Sequence, residues 1–375
     1  MIYIIALSVI VGALGLYYLF LKNLNDFKKH GIPHLPPSLL GSTLFRLLPQ
    51  KPLTEILKYL YNLHPEAKYI GIFDINVPLV ILRDPEIIKS ITLKNFEIFP
   101  DHRNFIDENQ DPLFGKNLFS LRGDKWRQVR PLLSPAFTSS KMKTMFKLMS
   151  ECGVNFGNYL VQLPPEQRIM EMKDVFARYT NDVIATCVFG ISVDSMKNPE
   201  NEFYIKWTTK HRNQNEPLRM YPILVILDRV CVKDFELPPA LPGLKPFSLK
   251  KGQSIWVPIY ALQRDPNYFK EPEKFDPERF RGERKKNTLN SRAYLPFGLG
   301  PRMCIGNRFA LLETKVALFH LLARCNLKTC EKTIIPLKIA KDGFSMTAEG
   351  GFWLKVLPRK DAHHTLAINP VNRTR

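Results

Sequence analysis

Cysteine is sparse: the chain of 375 residues has six, at positions 152, 187, 231, 304, 325 and 330, with no Cys-x-x-Cys pair. That excludes a disulfide scaffold and a zinc ribbon, and it fits a reducing compartment in which at most one or two thiols carry chemistry. Acidic side chains are also few, 35 Asp and Glu against 54 Lys and Arg, which leaves a formal charge of +19. Such a balance attracts phosphate, but no zinc-ligand spacing, RNA-binding aromatic signature or dominant basic tract accompanies it. The densest basic stretch, Arg281 to Lys286 (RGERKK), is short and interrupted by Glu283. No nucleic-acid partner is expected; anionic lipid and acidic protein partners account for the charge as well. Low-complexity and disordered classes are excluded by 45 % apolar and 24 % charged residues. At roughly 150 residues per domain the length alone suggests two or three domains, or one large one.

What the chain does have begins at its first residue. Residues 1–21 (MIYIIALSVIVGALGLYYLFL) are an uncharged apolar run, long enough at ~1.5 Å per residue to span the ~30 Å hydrocarbon core of a bilayer. The run reads as a transmembrane anchor. A cleaved signal peptide is the competing reading, but no basic segment precedes the run and no small-residue cleavage pattern closes it. Lys22, Lys28 and Lys29 follow, with only Asp26 against them, which places the remainder on the cytosolic side. Residues 22–38, with Pro33, Pro36 and Pro37, read as a proline-rich hinge.

Residues 39–375 read as mainly α with small β-sheets. Tyr69 to Leu82 predicts a hairpin, while Asp84-Pro85-Glu86 and Gly123-Asp124 predict helix starts. Apolar spacing of three and four predicts core helices over Lys141 to Leu160 (Met142, Met145, Phe146, Met149), Asp174 to Gly190, and Ile305 to Cys325, the last with Phe309, Leu312, Val316, Phe319 and Leu322 on one face. Residues 208–215 (TTKHRNQN) hold no apolar side chain. Pro217 is tolerable only in a first helical turn, so a helix must begin near Asn215. Ile223 to Val230 and Ser254 to Ile259 predict strands, Glu271 to Arg284 an irregular stretch, and the apolar segments around Gly350-Gly351 a closing hairpin.

The most informative segment is Phe297-Gly298-Leu299-Gly300-Pro301-Arg302-Met303-Cys304-Ile305-Gly306. It resembles the haem-binding loop FxxGxRxCxG of the cytochrome P-450 family, the haem-thiolate monooxygenases. Phe297, Gly300, Arg302, Cys304 and Gly306 match all five fixed positions, which chance produces in this length with a probability on the order of 10⁻⁴. Glycines 298, 300 and 306 are expected to permit the φ values and close backbone approach of a tight loop beneath a flat macrocycle. Cys304 sits just before a helix, whose dipole and unpaired N–H groups favour thiolate over thiol. A thiolate ligand pushes electron density onto haem iron and favours O–O cleavage.

Further resemblances follow in the family's order. Glu216-x-x-Arg219 matches ExxR, a pattern of two fixed positions that chance alone supplies about once in this length. Phe275-Asp276-Pro277-Glu278-Arg279-Phe280 matches the PERF-type meander between it and Cys304. The resemblance implies that Glu216, Arg219 and Arg279 lock the structural core. Trp126 and Arg130 match WxxxR, four apart on one helix face, and with Arg302 and Arg229 they are implied to hold the haem propionates. A surface Trp/Arg pair is the alternative reading of Trp126 and Arg130. Phe297, Gly298 and Gly306 complete the expected cofactor-binding set, with Cys304 the axial ligand of the iron.

Between Gly190 and Glu216 lie far fewer residues than the roughly five helices, on the order of 150 residues, that the family places there. The (A/G)Gx(D/E)T motif of the helix distal to the haem has no match; Ala310-Leu311-Leu312-Glu313-Thr314 lacks its second glycine and follows the thiolate. A cytochrome P-450 fold with an internal deletion, joined near 207–215, is therefore expected, the distal helices including the oxygen-binding one being absent. The resemblance, closest to insect xenobiotic-metabolising members, implies a microsomal monooxygenase. It would carry haem b (iron protoporphyrin IX) in the endoplasmic reticulum membrane, with its catalytic domain cytosolic. It would insert one atom of O₂ into a hydrophobic small molecule, using NADPH-derived electrons from a flavoprotein reductase, with cytochrome b5 as a further candidate partner. Lys125, Arg127, Lys141 and Arg308 are candidates for the basic face that docks an acidic reductase, a solvated face being the alternative. The competing function is a catalytically inactive, deletion-bearing haem-binding remnant.

Overall fold

The computed structural model describes residues 2–17, 25–36, 51–74, 77–103, 109–197, 215–341 and 346–360. Among them are nine strands: β1 (Tyr69–Asp74), β2 (Val77–Leu82), β3 (Ile169–Glu171), β4 (Leu227–Val230), β5 (Phe235–Leu237), β6 (Phe247–Leu249), β7 (Ser254–Val257), β8 (Cys325–Lys328) and β9 (Trp353–Pro358). Helix dominates and the sheets are small. The chain forms two compact units, the first built from Met1–Leu133, Asn215–Cys304 and Lys341–Met346, the second from Ser134–Gln214, Ile305–Ala340 and Thr347–Arg375.

The first unit is organised by a four-stranded sheet in the order β1-β2-β7-β4. β1 and β2 form the expected hairpin, with Tyr69 opposite Leu82. β7 then joins β2 in parallel and β4 closes the edge antiparallel, with Arg229 opposite Ile255. Nearly every residue of β1, β2 and β7 is buried. That explains why they read as apolar runs rather than alternating patterns. Helix Leu53–Tyr61 buries Leu53, Ile56, Leu57 and Leu60, the three-and-four spacing of a core-facing stripe. Asp84 caps Pro85–Lys89 as its sequence predicts, accepting from the Glu86 and Ile87 N–H groups at 2.7 and 3.3 Å. The helix expected from Gly123-Asp124 runs Gly123–Leu133. β4 starts four residues later than expected: residues 223–226 are irregular, leaving Leu227–Val230 paired with β7.

Helices Ser139–Gln162, Met172–Phe189 and Asn307–Arg324 form the second unit, together with the sheet β3-β9-β8. Gly153 and Gly157, one turn apart, allow the first helix to meet the last: a Cβ on them would lie 2.4 Å from His320 Cδ2 and 2.6 Å from Arg324 Cδ. Three expectations need correction. The closing hairpin is not one: β9 pairs with β3 and β8, and among the described residues the chain just before it contributes the bridge Ile339 to Ala348. Phe146 is 49 % exposed rather than core. On helix Asn307–Arg324, Phe319 and Leu322 are 56 % and 45 % exposed, while Phe309, Glu313, Val316, Ala317, His320 and Leu321 form the buried face. That helix is apolar on two sides, so periodicity does not tell which side packs.

Glu313 is the costliest residue of that buried face. Its Oε1 has no hydrogen-bond partner, and burial pushes its carboxyl up to about 8 against the opposing bond from Thr180. The folded state therefore favours the protonated acid. Stability is fully present below the ordinary glutamate range and is lost as pH rises through about 8, by a few kcal/mol in all. In urea titrations from pH 5 to 9, Glu313→Gln is expected to flatten this decline; an unchanged pH profile in the variant would reject the assignment.

Candidate functional site

Loop Leu295 to Cys304 is closed by its own backbone. Gly298 N donates to Leu295 O (3.1 Å), Met303 N to Gly300 O (2.9 Å) and Cys304 N to Phe297 O (2.9 Å). Gly298 and Gly300 have φ of +77° and +80°, the left-handed region that L side chains rarely adopt. A Cβ at Gly300 would come within 2.1 Å of the Thr92 carbonyl oxygen, so that position admits only glycine. Gly306 differs in backbone conformation from the other two glycines. Its φ is −89°, and a Cβ there would meet the Phe137 ring at an ordinary 3.6 Å. Its backbone conformation at the N-cap of helix Asn307–Arg324 is therefore one that any residue adopts.

The loop leaves Cys304 exposed, while Cys231 and Cys325 are buried and Cys152, Cys187 and Cys330 half-buried. Burial raises the thiols of Cys152, Cys231 and Cys325 above the ordinary range and pushes Cys187 up to about 12. Those four are held as inert thiols. Cys304 is the one cysteine placed at the surface, where a ligand can reach it.

Helix Gly123–Leu133 brings two expected residues to this loop. Arg130 Nη2 donates to the Met303 carbonyl at 2.8 Å. Burial lowers its pKa, and the Cys304 sulfur acts in the opposite direction. Trp126 is buried against Phe96, with the Arg302 guanidinium stacked 4.2 Å from its ring centre. Arg302 itself is turned into the protein: Nε donates to Pro100 O (2.7 Å), Nη1 to Leu118 O (3.4 Å) and Nη2 to Asp101 Oδ1 (2.9 Å). Arg127, expected on a docking face, bonds Glu97 (2.6 Å) and Asp124 (3.1 Å).

Arg229 differs from Arg302. It is 1 % exposed on β4, yet its Nε and Nη2 have no partner among the described residues. Only Nη1 is engaged, donating to Asp228 O at 2.7 Å and lying 3.3 and 3.4 Å from the two ring nitrogens of His102. A buried guanidinium with an unshared edge is costly unless an anion completes it. Exposed thiol, loop and unshared guanidinium edge are the donor set that haem needs: a sulfur for the iron and cationic N–H groups for a propionate. The residues present fit that group.

The expected structural lock is partly visible. Arg219 is fully buried, with Nη1 on Gln263 O (2.9 Å) and Nη2 on Lys274 O (3.3 Å). Arg279 grips the carbonyls of Lys270 (2.7 Å) and Glu271 (3.3 Å). Both therefore hold the backbone of residues 270–274, the stretch that leads into the meander. Glu216 opens helix Asn215–Met220, but its side chain lies outside the described residues, as does most of the expected junction 207–215. Gln263 escaped sequence reasoning. Its Nε2 donates to Leu218 O (2.9 Å) and Arg219 O (3.0 Å), and its Oε1 accepts from Leu295 N (2.9 Å), joining the ExxR helix to the start of the cysteine loop. Asp101, His102 and Asp228 were missed too. The charged run Asp101-His102-Arg103 and the pair Asp228-Arg229 are the available signals, weak without the fold that brings them together.

Fold, loop and donor set define a haem-thiolate protein, and comparison with known sequences agrees. The cytochrome P450 family model matches residues 35–214 and 213–354, so the chain belongs to the cytochrome P450 family of haem-dependent monooxygenases. Among its relatives are "Cytochrome P450 9e2" of Blattella germanica, 34 % identical over 88 % of this chain and 93 % of the relative, and "Probable cytochrome P450 9f2" of Drosophila melanogaster, 29 % identical over 92 % and 98 %. A mammalian relative, "Cytochrome P450 3A11" of Mus musculus, is 27 % identical over 89 % and 92 %. The first of these alignments spans 504 positions, whereas 88 % of the 375 residues here is about 330, so about 170 aligned positions carry no residue of this chain. Among the described residues, no helix is long and apolar enough to cross a membrane; the first helix is Ile2–Leu16.

Proposed function

We propose that this chain is a haem-thiolate monooxygenase in which Cys304 is the axial ligand of the iron. Trp126, Arg130, Arg229 and Arg302 surround the propionate edge, with Phe297, Gly298 and Gly306 completing the cofactor-binding set. One observation carries this reading: the glycine-built loop presents Cys304 at the surface in the same unit as a buried arginine with an unshared donor edge. When bound, the haem supplies the redox chemistry that activates O₂. The chain's own residues hold it by one face. The Cys304 N–H is committed to Phe297 O, which fixes the ligand's backbone, and Arg130 is tied to the neighbouring Met303 carbonyl. Arg219, Arg279, Gln263 and the Glu216 helix hold the platform from which the loop projects.

The same reading places the chain in the endoplasmic reticulum membrane. Residues 1–21 would act as anchor and 22–38 as hinge, with 39–375 a cytosolic haem-thiolate domain that lacks a central block joined near 207–215. The relatives support the missing block through the unmatched alignment positions and through a family match that falls into two stretches meeting at 213–214. Electrons would come from an NADPH-dependent flavoprotein reductase, with cytochrome b5 as a further donor, and the substrate would be a hydrophobic small molecule. The test is the reduced, CO-bound spectrum of the haemin-loaded protein. Cys304→Ser is expected to abolish the long-wavelength Soret band that thiolate ligation produces. Cys330→Ser, remote from the loop in sequence, should leave it intact. Persistence of the band in the Cys304 variant would reject the assignment.

A further inference from the structure

The propionate reading leaves a question of orientation. Arg229 carries the two orphaned donors, but a guanidinium on a long side chain needs something to hold its plane. Asp228, its neighbour on β4, does not pair with it through the carboxylate. Asp228 Oδ1 instead bonds His102 Nδ1 at 2.8 Å, and Oδ2 accepts the Arg103 backbone N–H. His102 lies across the sheet edge, where Asp101 bridges to Val230 and the Val230 N–H donates to Asp101 O at 2.9 Å.

His102 is 4 % exposed and is held by further contacts. Its ring stacks on Phe119 with centroids 4.1 Å apart and planes 21° from parallel, and its carbonyl accepts from Arg122 Nη2 at 2.7 Å. Arg229 Nη1 is almost equidistant from the two ring nitrogens, so it rests against the imidazole rather than on one lone pair. The bond to Asp228 places the ring proton on Nδ1 and fixes the ring's rotation. Burial, acting with Arg229 and Arg302, holds the imidazole pKa down, so the ring that touches the guanidinium is neutral. Asp101 is meanwhile engaged with Arg302, so both nearby carboxylates are spent and the outer edge of Arg229 stays unshared.

Resting on the propionate assignment of Arg229, we propose that the Asp228–His102 pair is a positioning device. It pins Nη1 and thereby aims the Nε and Nη2 edge of Arg229 at a carboxylate of the bound cofactor. His102 acts through Arg229 and is a positioning residue, not a catalytic one. Its effect should therefore appear only with a ligand whose carboxylates are free.

The experiment titrates the full chain with haemin and, separately, with haemin dimethyl ester, whose carboxylates are capped, following Soret absorbance. Wild type is expected to prefer haemin. His102→Phe keeps the stack on Phe119 but removes both ring nitrogens, and should weaken haemin binding about tenfold, the scale of a charge-assisted bond, while leaving ester binding unchanged. Asp228→Asn keeps an acceptor for Nδ1 and should lose less. Arg229→Ala should reduce the preference, and adding His102→Phe to it should change nothing further. Equal weakening of both compounds by His102→Phe, or additive losses in the double variant, overturns the positioning role while Arg229 keeps its own. A wild-type chain that does not distinguish the compounds, or an Arg229→Ala variant whose preference is undiminished, overturns the propionate reading of Arg229 and this inference with it.

Discussion

Asp101→Ala is expected to lower the unfolding free energy by about 3–5 kcal/mol, the usual cost of stranding one partner of a buried ion pair. Arg302, almost fully buried, has its charge answered among the described residues by Asp101. The same carboxylate oxygen also accepts the Gly123 N–H at 2.9 Å, at the start of the helix that carries Trp126 and Arg130. One substitution thus strands a guanidinium stacked on Trp126 and leaves a helix-opening N–H without its acceptor. Urea unfolding followed by tryptophan fluorescence measures the loss. Replacing both partners, Asp101→Ala with Arg302→Met, should recover part of it, because an apolar pair of similar volume needs no counter-charge. A single-variant loss below about 1 kcal/mol would place the pair with surface bridges, whose contribution is small.

Restoring the central block should have the other large effect. A chain with the corresponding segment of a relative inserted at 213–214 is expected to take up haemin to near one equivalent and to unfold at clearly higher denaturant than the 375-residue chain. The physical reason lies in the second unit. Phe146, Phe189, Phe319 and Leu322 stand exposed on its three helices, although each would contribute about 1.5–3 kcal/mol if buried. Helices with an uncovered apolar side are what remains when a packing partner is taken away. Binding of a hydrophobic dye should fall on insertion. Equal haem uptake, stability and dye binding by the two proteins would show that the missing positions cover nothing.

The cysteine loop was legible because its chemistry is local. Two left-handed glycines, an arginine and a cysteine at fixed spacing specify their turn within ten residues, and only the φ of −89° at Gly306 lies outside the left-handed region. Helix starts at Asp84 and Gly123 were legible for the same reason, being set by a side chain and the backbone a few residues on. The closing hairpin failed because strand pairing is not local: β9 reads as half a hairpin, but its partners lie at 169–171 and 325–328. The face of Asn307–Arg324 failed because two apolar stripes fit the same helical period.

The surroundings of Arg229 show the same division. The sequence by itself determined a chain of the cytochrome P450 family and the glycine-built loop around Cys304, since each rests on residues close together in the chain. Only the tertiary structure decided that Arg302 is neutralised by Asp101 while Arg229 is left with open donors, and that His102 and Asp228 stand beside it. Residues 101 and 102 are separated from 228, 229 and 302 by more than a hundred positions, and β4 meets residue 101 only once the sheet has formed. The charge of an arginine is written in its side chain, but whether that charge is spent or available depends on which carboxylates the fold brings within bonding distance.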